Sequence, residues 1–244
     1  MIQLKNLSKH YGSVKAVNCL NLSVPRGEIF GFIGPNGAGK TTTIGMMAGL
    51  LAPTQGSVII DGIDMKTDPE KAKKMIGLIP DRPFLYEKLT GMEFLKFMAE
   101  LYEVKQELFL EKAKKLLVMF SLFNHTNKLI ESYSHGMKQR LIMCAVLLHD
   151  PLLIIVDEPM VGLDPKGIKM VKNLFRNLAA KGTTIFMSTH TLKLAEEVCN
   201  RIGIINKGRL IATGNIIDLM QAANIGKGDL EQVFFHLTGE ENNQ

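Results

Sequence analysis

One stretch, Gly34-Pro35-Asn36-Gly37-Ala38-Gly39-Lys40-Thr41-Thr42, constrains the fold of this chain more than any other. It follows the pattern G-x-x-x-x-G-K-[ST], with a short apolar run before it and apolar residues at helical spacing after it. Glycines in such a loop let successive backbone N–H groups point at phosphate oxygens, because side chains would block the approach. The following helix adds its N-terminal N–H groups and the positive end of its dipole. The stretch therefore predicts binding of a nucleoside triphosphate.

Two side chains of this loop have predicted roles. Lys40 is expected to reach the β- and γ-phosphates, and the Thr41 hydroxyl is expected to ligate Mg²⁺. Both expectations follow from the position of these residues at the start of the helix.

A pair of carboxylates, Asp157 and Glu158, follows the most apolar predicted strand, Leu152 to Val156. Apart from a solvated strand end, nothing in packing explains two acids there, since unpaired buried charge is costly. Beside a phosphate loop, Asp157 is expected to hold Mg²⁺, directly or through water. Glu158 is expected to polarise the water that attacks the γ-phosphorus, in a reaction that depends mostly on positioning and charge neutralisation.

His190 follows another predicted strand, Thr184 to Ser188, which is expected to lie beside the strand that ends at Asp157. Ligands of α/β proteins bind at the carboxyl ends of such strands. His190 is therefore a candidate for the same site, with a packing or surface role as the alternative.

Composition limits the class of protein. Of the 244 residues, 46% are apolar and 22% are charged, which fits one large α/β domain or two small subdomains. No apolar run approaches the roughly 18 residues that span a bilayer, and the N-terminus lacks the apolar segment of a signal peptide. The three cysteines are isolated, as expected in a reducing cytosol without a disulfide or cysteine metal site. The net charge of +5 is dispersed and lacks interleaved aromatics, so no nucleic-acid partner is expected.

The hydrophobic pattern changes from strand-like to helical along the chain and then back. From Thr90 to about His149 the apolar residues recur at helical spacing, between two halves rich in predicted strands.

Asp164-Pro165 is a preferred start of a helix. Tyr11 is placed in a loop between the first two strands. The predicted strands are Ile2 to Leu7, Leu20 to Val24, Glu28 to Ile33, Ser57 to Ile60, Met75 to Ile79, Leu152 to Val156, Thr184 to Ser188, Ile202 to Asn206 and Arg209 to Thr213.

Taken together, these motifs resemble those of the ATP-binding cassette (ABC) ATPases, over nearly the whole chain and in the order of that family. The resemblance implies an α/β fold: a RecA-like P-loop NTPase core with a mixed sheet, an antiparallel β subdomain and a helical signature subdomain. It also implies a single ABC ATPase domain over 1–244. Its expected parts are the core with the β subdomain (1–85 and 150–220), the helical subdomain (86–149) and a short C-terminal tail (221–244), which is expected to be frayed past Gly239.

The resemblance assigns further residues to the ATP site. Tyr11 matches the aromatic residue that stacks on adenine, and His190 matches the switch histidine. Ser134 and Gly136 match the phosphate-facing members of the signature segment, which in this family acts on the opposite subunit of a head-to-tail dimer. The segment 162–164, Gly-Leu-Asp, matches the loop that contacts that subunit.

Two segments depart from the family pattern. The usual L-S-G-G-Q is Tyr-Ser-His-Gly-Met at 133–137, so that His135 stands in place of a glycine and Met137 in place of the glutamine. Asp81 occupies the position of the expected glutamine in a loop near Mg²⁺. It is a candidate metal ligand whose direct contact with the ion is left open.

The resemblance implies an ATPase that uses ATP and Mg²⁺ and powers a membrane transporter. The expected partner is a transmembrane permease subunit that docks near Pro80 to Glu87, with exposed Phe84, Leu85 and Tyr86, and on the helical subdomain. A homodimer or cassette heterodimer is expected on ATP binding, at the inner face of the cell membrane in the cytoplasm. The segment 229–239 resembles the exporter branch for drugs and antibiotics. The alternatives are a soluble ABC ATPase acting on DNA or ribosomes and a nucleotide-dependent binding module that does not hydrolyse ATP.

Overall fold

Two β-sheets and a group of helices organise the part of the chain that the structure, a computed structural model, describes: residues 1–82, 84–226 and 228–239. The strands are β1 (Ile2–Tyr11), β2 (Val14–Val24), β3 (Ile29–Ile33), β4 (Gln55–Ile60), β5 (Ile63–Asp64), β6 (Ile76–Ile79), β7 (Leu153–Asp157), β8 (Thr184–Ser188), β9 (Arg201–Asn206) and β10 (Arg209–Gly214). The α-helices are α1 (Lys40–Met47), α2 (Pro69–Lys74), α3 (Gly91–Leu101), α4 (Gln106–Met119), α5 (His135–Leu147), α6 (Pro165–Ala180), α7 (Leu192–Val198), α8 (Ile216–Ala222) and α9 (Leu230–Thr238). Short 3₁₀ turns lie at Phe123–His125 and Ile130–Ser132.

The larger sheet is mixed, in the order β10-β9-β3-β8-β7-β6. Strands β9, β3, β8, β7 and β6 are parallel, and β10 pairs antiparallel with β9 at the edge. Alternate residues of a strand face opposite sides, and Ile154 and Ile155 of β7 accordingly pack into two different hydrophobic clusters. Because both faces are covered, all residues of β3 and β8 and the apolar residues 153–156 of β7 are buried. The register places Asp157 beside Ser188, as predicted from the two strand ends.

The smaller sheet is antiparallel, in the order β2-β1-β4-β5. Its first two strands are longer than predicted, because left-handed residues at Asn6 (φ 47°) and Cys19 (φ 54°) let the pairing continue through register shifts. Tyr11 is the last residue of β1 and pairs with Val14, so its predicted place in a loop is wrong. The alternation of apolar and polar residues is interrupted at the register shifts, and for this reason the sequence predicts shorter strands than the structure contains.

The helical region predicted between Thr90 and His149 is confirmed as α3, α4 and α5. Thr90 caps α3 through a capping box with Glu93, which satisfies N–H groups at the helix start. Two of the apolar residues at helical spacing in this region are exposed, Leu101 by 60% and Leu108 by 45%. In α4 the buried stripe instead begins one residue later, at Phe109, and continues at intervals of four through Ala113 and Leu117.

The predicted loop at Pro80 to Glu87 has no helix or strand in its described residues, and Pro83 lies outside them. Phe84 is 83% exposed and Tyr86 is 52% exposed, as predicted. Leu85 is only 7% exposed and belongs to the core formed with α3 to α5. Its predicted exposure is therefore wrong, because Leu85 packs with the apolar residues of the helical region.

Helix α6 begins as predicted, with Asp164 as the N-cap: its Oδ1 accepts a hydrogen bond of 3.2 Å from the Gly167 N–H. Val171 and Phe175 are the buried residues of its apolar stripe. The polar tail at 240–244 lies outside the described residues, and the proposed subdomain bounds stay a prediction. Within 1–82, 84–226 and 228–239, no helix is both long enough and apolar enough to cross a membrane.

Candidate functional site

A cleft of about 380 Å³ lies where the parallel strands of the mixed sheet end. It brings together residues from the phosphate loop, from the ends of β6 and β7 and from the segment after β8. The residues that line it are Ala16, Asn36, Gly37, Gly39, Lys40, Thr41, Thr42, Asp81, Asp157, Glu158, Val161 and His190. Chain regions far apart in sequence thus contribute to one cleft.

The phosphate loop needs glycine at two of these positions for different reasons. Gly39, just before α1, has φ 109°, and a Cβ there would lie 2.4 Å from the Ala16 carbonyl oxygen. Gly37 has φ 77° but meets no described atom within 4 Å of such a Cβ. Both backbone conformation and close packing therefore require glycine at position 39, whereas at position 37 the conformation alone requires it.

This difference predicts unequal effects of alanine at the two positions. Gly39→Ala should lower the free energy of unfolding by about 2–5 kcal/mol, from the left-handed backbone and overpacking together. Gly37→Ala should lower it by only about 1–2 kcal/mol. Urea unfolding of the two variants and the wild type measures the difference, and equal midpoints for the variants would contradict this account of the loop.

Other loop residues predicted to bind nucleotide do not line the cleft with their side chains. A Cβ at Gly34 would lie 2.3 Å from the Ile205 carbonyl oxygen, so this glycine allows the loop to pack on β9. Ala38 is 3% exposed and belongs to the core under the loop. Pro35 accepts a hydrogen bond of 3.2 Å from the Ala38 N–H through its carbonyl oxygen. These three residues shape the loop from behind.

Lys40 extends across its own loop. Its Nζ donates hydrogen bonds of 2.6 Å to the Gly34 carbonyl oxygen and 3.0 Å to the Pro35 carbonyl oxygen. Burial lowers the pKa of Lys40, and the negative charges of Glu158 and Asp157 oppose this shift. The ammonium group is thus held at the mouth of the loop, between backbone oxygens and the two carboxylates.

Asp157 and Thr41 meet in the same cleft. The Thr41 Oγ1 lies 3.5 Å from Oδ2 of Asp157. Burial raises the pKa of Asp157, and the nearby carboxylates of Glu158 and Asp81 raise it further. A cation would relieve this concentration of negative charge. A hydroxyl and carboxylates are oxygen donors of the kind that Mg²⁺ prefers.

The protein donors alone do not complete a metal site. Among residues 1–82, 84–226 and 228–239, no group of three or more His, Cys, Asp or Glu residues is placed to hold a metal ion. Mg²⁺ is commonly bound by one or two protein groups together with substrate phosphates and water. The donor set at Thr41 and Asp157 therefore fits a cation that arrives with a triphosphate.

Glu158 has a left-handed backbone, with φ 50°, and a side chain that is 15% exposed. Its N–H donates a 3.0 Å hydrogen bond to the Ser188 carbonyl oxygen of β8. Oε1 accepts a 2.8 Å hydrogen bond from the His190 N–H and lies 2.7 Å from His190 Nδ1. Oε2 accepts a 3.1 Å hydrogen bond from the Thr189 hydroxyl. A rare conformation held by so many contacts is typical of a functional position.

Three residues assigned by resemblance lie outside the lining of this cleft. Tyr11 is 50% exposed at the end of β1, with the Lys9 ammonium 5.3 Å from the centre of its ring. Ser134 is the N-cap of α5, and its Oγ accepts a 3.3 Å hydrogen bond from the Met137 N–H. Gly136 lies in the first turn of the same helix. The cleft of a single chain therefore does not include the signature segment.

Sequence reasoning assigned no role to Ala16, Val161 or the Thr189 hydroxyl, although all three lie at the site. Ala16 belongs to the long β2, whose start was predicted too late. Thr189 lies between Ser188, the end of β8, and the predicted site residue His190. Only the geometry shows that its hydroxyl fixes the Glu158 carboxylate. No sequence signal distinguishes Val161 from other apolar loop residues.

Comparison with known proteins agrees with this geometry. Residues 17–161 match the family described as ABC transporter. The chain is 40% identical to the bacitracin transport ATP-binding protein BcrA of Enterococcus faecalis over 220 residues, which are 90% of this chain and 70% of BcrA. The structure superposes on that of an ATP-binding subunit of an ABC transporter with a TM-score of 0.94 and 33% identity, covering 98% of this chain and 99% of the other.

A second solved structure is a dimer of the ATP-binding cassette MJ0796 in a post-hydrolysis state with ADP and Pi bound. It matches with a TM-score of 0.77 and 27% identity over 88% of this chain and 98% of its own. The phosphate loop, the paired carboxylates and His190 thus lie within a fold known to bind ATP and to hold its hydrolysis products. The chain belongs to the ABC transporter family, as an ATP-binding subunit that hydrolyses ATP.

Proposed function

We propose that this chain is the ATPase subunit of an ABC exporter and powers transport through a separate transmembrane partner. The observation that supports this most is the convergence of Lys40, Asp157, Glu158 and His190 on one cleft. Export is supported by the resemblance of the segment 229–239 to the exporter branch and by the name of BcrA, which refers to bacitracin transport. The intact set of residues for hydrolysis disfavours a binding module without turnover.

In this proposal the phosphate loop binds the triphosphate through its backbone N–H groups and the start of α1. Lys40 offsets negative charge on the β- and γ-phosphates. Glu158 orients and polarises the attacking water, and the hydrogen bonds from Thr189 and His190 set the direction of its carboxylate. His190 is 68% exposed on its side chain, so that it can also meet the γ-phosphate at the mouth of the cleft.

Mg²⁺ fits this site as the cation that accompanies ATP. Thr41 and Asp157 are the proposed ligands, and Asp81, at the same edge of the cleft, is the third candidate. When bound, the ion would neutralise charge on the phosphate oxygens. The residues of the chain contribute the oxygen donors and keep them beside the phosphate loop.

We also propose that ATP joins two cassettes, either two copies of this chain or this chain and a related one. Ser134 and Gly136 sit at the N-terminus of α5, where backbone N–H groups favour an anion. Their position outside their own cleft supports a role at the nucleotide of a second subunit. Tyr11, exposed at the end of β1, is the proposed stacking residue for adenine.

The proposed docking surface for the transmembrane partner is an exposed aromatic cluster: Phe84, Tyr86 and Phe97. The rings of Phe84 and Tyr86 are 6.2 Å apart and those of Tyr86 and Phe97 are 5.5 Å apart, both edge to face. Phe97, on α3, is 41% exposed and extends the predicted loop onto the helical region. Clustered exposed aromatics favour an apolar partner surface. Docking there would place the chain on the inner face of the membrane.

A negative charge introduced into this cluster should disrupt docking to the membrane partner without affecting ATP hydrolysis. Phe84→Asp should reduce recovery of the chain with its membrane partner and uncouple transport, while ATPase activity and thermal stability of the isolated chain stay unchanged. The neighbouring Leu85→Ala provides the matched control, because Leu85 is buried and its truncation should cost about 2–4 kcal/mol of stability. A Phe84→Asp protein that unfolds at a much lower temperature would show that Phe84 is a core residue and contradict the docking assignment.

The experiment that tests the proposed function is purification of the tagged chain from detergent-solubilised membranes, followed by identification of the proteins bound to it. The expected result is a polytopic membrane protein recovered with the wild type and lost with Phe84→Asp. Recovery of ribosomes or DNA repair proteins in its place would contradict the transporter assignment.

A further inference from the structure

The signature segment contains a histidine, His135, where the family pattern has glycine. It is the first residue of α5, and its ring lies directly against Gly162, in the loop that precedes α6. A Cβ on Gly162 would lie 2.3 Å from Cδ2 and 3.0 Å from Nε2 of His135. Glycine is thus required at position 162 both by its backbone conformation, with φ 76°, and by the imidazole that covers it.

Two more contacts join the same two segments. A Cβ on Gly136 would lie 2.7 Å from the Gly162 carbonyl oxygen, so the two backbones approach closely. Arg140, one turn further along α5, donates a 2.8 Å hydrogen bond from Nη2 to Oδ1 of Asp164, the N-cap of α6. The start of α5 and the segment 162–164 are therefore held together by a ring, a backbone contact and an ion pair.

The ring of His135 also faces the loop Pro80 to Glu87, which carries two aromatic residues of the proposed docking surface. It lines a cavity of about 560 Å³ together with Arg82, Phe84, Leu85, Glu87 and Lys138. The Lys138 Nζ lies 2.5 Å from Oε1 of Glu87, so that two of the lining residues form an ion pair. His135 is consequently the side chain that lies between the aromatic docking cluster and the segment 162–164.

We propose that His135 is a positioning residue that holds the segment 162–164 against the start of α5. The two segments then meet a second subunit as one preassembled surface. This rests on the proposed ATP-dependent dimer. With glycine at 135 the flat ring would be absent, and the left-handed Gly162 would lose the group that restricts its movement. The signature segment would still be present but would be less well aligned with the neighbouring loop.

The test compares His135→Gly, which restores the family residue, with His135→Phe, which keeps a flat ring but has no ring nitrogen. His135→Gly should lower kcat roughly 10- to 100-fold, since small misplacements of positioning groups have effects of that size. The affinity of a single subunit for a fluorescent ATP analogue should stay unchanged, because the ATP of that subunit lies in its own cleft. Hydrogen exchange of the backbone at 160–164 should be faster in His135→Gly, and His135→Phe should restore both kcat and protection.

Several results would overturn the proposal. One is wild-type turnover and protection in His135→Gly. Another is a His135→Phe protein as impaired as His135→Gly, which would assign the role to the imidazole nitrogens. A third is a parallel loss of ATP affinity, which would indicate general damage. If the parent protein does not dimerise with ATP in the Glu158→Gln background, the proposed dimer is wrong, and hydrogen exchange of the single subunit still decides whether His135 holds the loop.

Discussion

Glu158→Gln should reduce ATP turnover roughly 100- to 10,000-fold, the usual contribution of a general base, while ATP stays bound. A glutamine keeps the size of the side chain and one oxygen that can accept the hydrogen bond now made by the His190 N–H at 2.8 Å. It removes the negative charge needed to polarise the attacking water. Because the phosphate loop and Lys40 are unchanged, the triphosphate should accumulate in the cleft and hold two cassettes together.

This result is measured by steady-state phosphate release and by size-exclusion chromatography of Glu158→Gln with and without ATP. A dimer that forms only with ATP is the expected outcome. Glu111→Gln, an isosteric change at an exposed residue of α4, is the matched control and should leave turnover unchanged. Wild-type turnover in Glu158→Gln would exclude the proposed role of this carboxylate.

Much of the nucleotide site follows from short local patterns. The strand, loop and helix around Lys40 were predictable because the loop pattern fixes the local chain path, and β3 and α1 confirm it. The neighbouring positions of Asp157 and Ser188 follow from the rule that apolar runs buried on both faces form parallel strands. The start of α6 at Asp164-Pro165 needs only capping chemistry. In each case the information lies within a few residues.

Features that depend on distant contacts were not predictable. Nothing near Glu158 in the sequence indicates φ 50° or the hydrogen bond from Thr189, since both arise where β7 and β8 end side by side. The burial of Leu85 depends on packing against the helical region, and the continuation of β1 to Tyr11 depends on its pairing with β2. The strand order within each sheet likewise depends on pairings between strands far apart in sequence.

Lys40→Ala should weaken ATP binding by roughly 30-fold or more. Removing one partner of a desolvated charge pair costs about 2–5 kcal/mol, and 1.4 kcal/mol corresponds to about a tenfold change in affinity. The side chain is already half buried between the loop carbonyls and the carboxylates of the cleft, so its charge is less screened than that of a surface lysine. Its loss would leave the negative charge of the phosphates unopposed beside Asp157 and Glu158.

Thermal unfolding with and without Mg-ATP measures this loss, because a ligand at 100 times its Kd stabilises the folded state by about 2.7 kcal/mol. The wild type should show an ATP-dependent rise in Tm, and Lys40→Ala should show little or none at the same concentration. Lys169→Ala, at an exposed position of α6, is the matched control and should keep the full rise. Lys40→Ala also removes two hydrogen bonds to the loop carbonyls, so its Tm without ATP separates loss of loop stability from loss of binding. An unchanged ATP-dependent rise in Lys40→Ala would contradict the assignment of this loop as the triphosphate site.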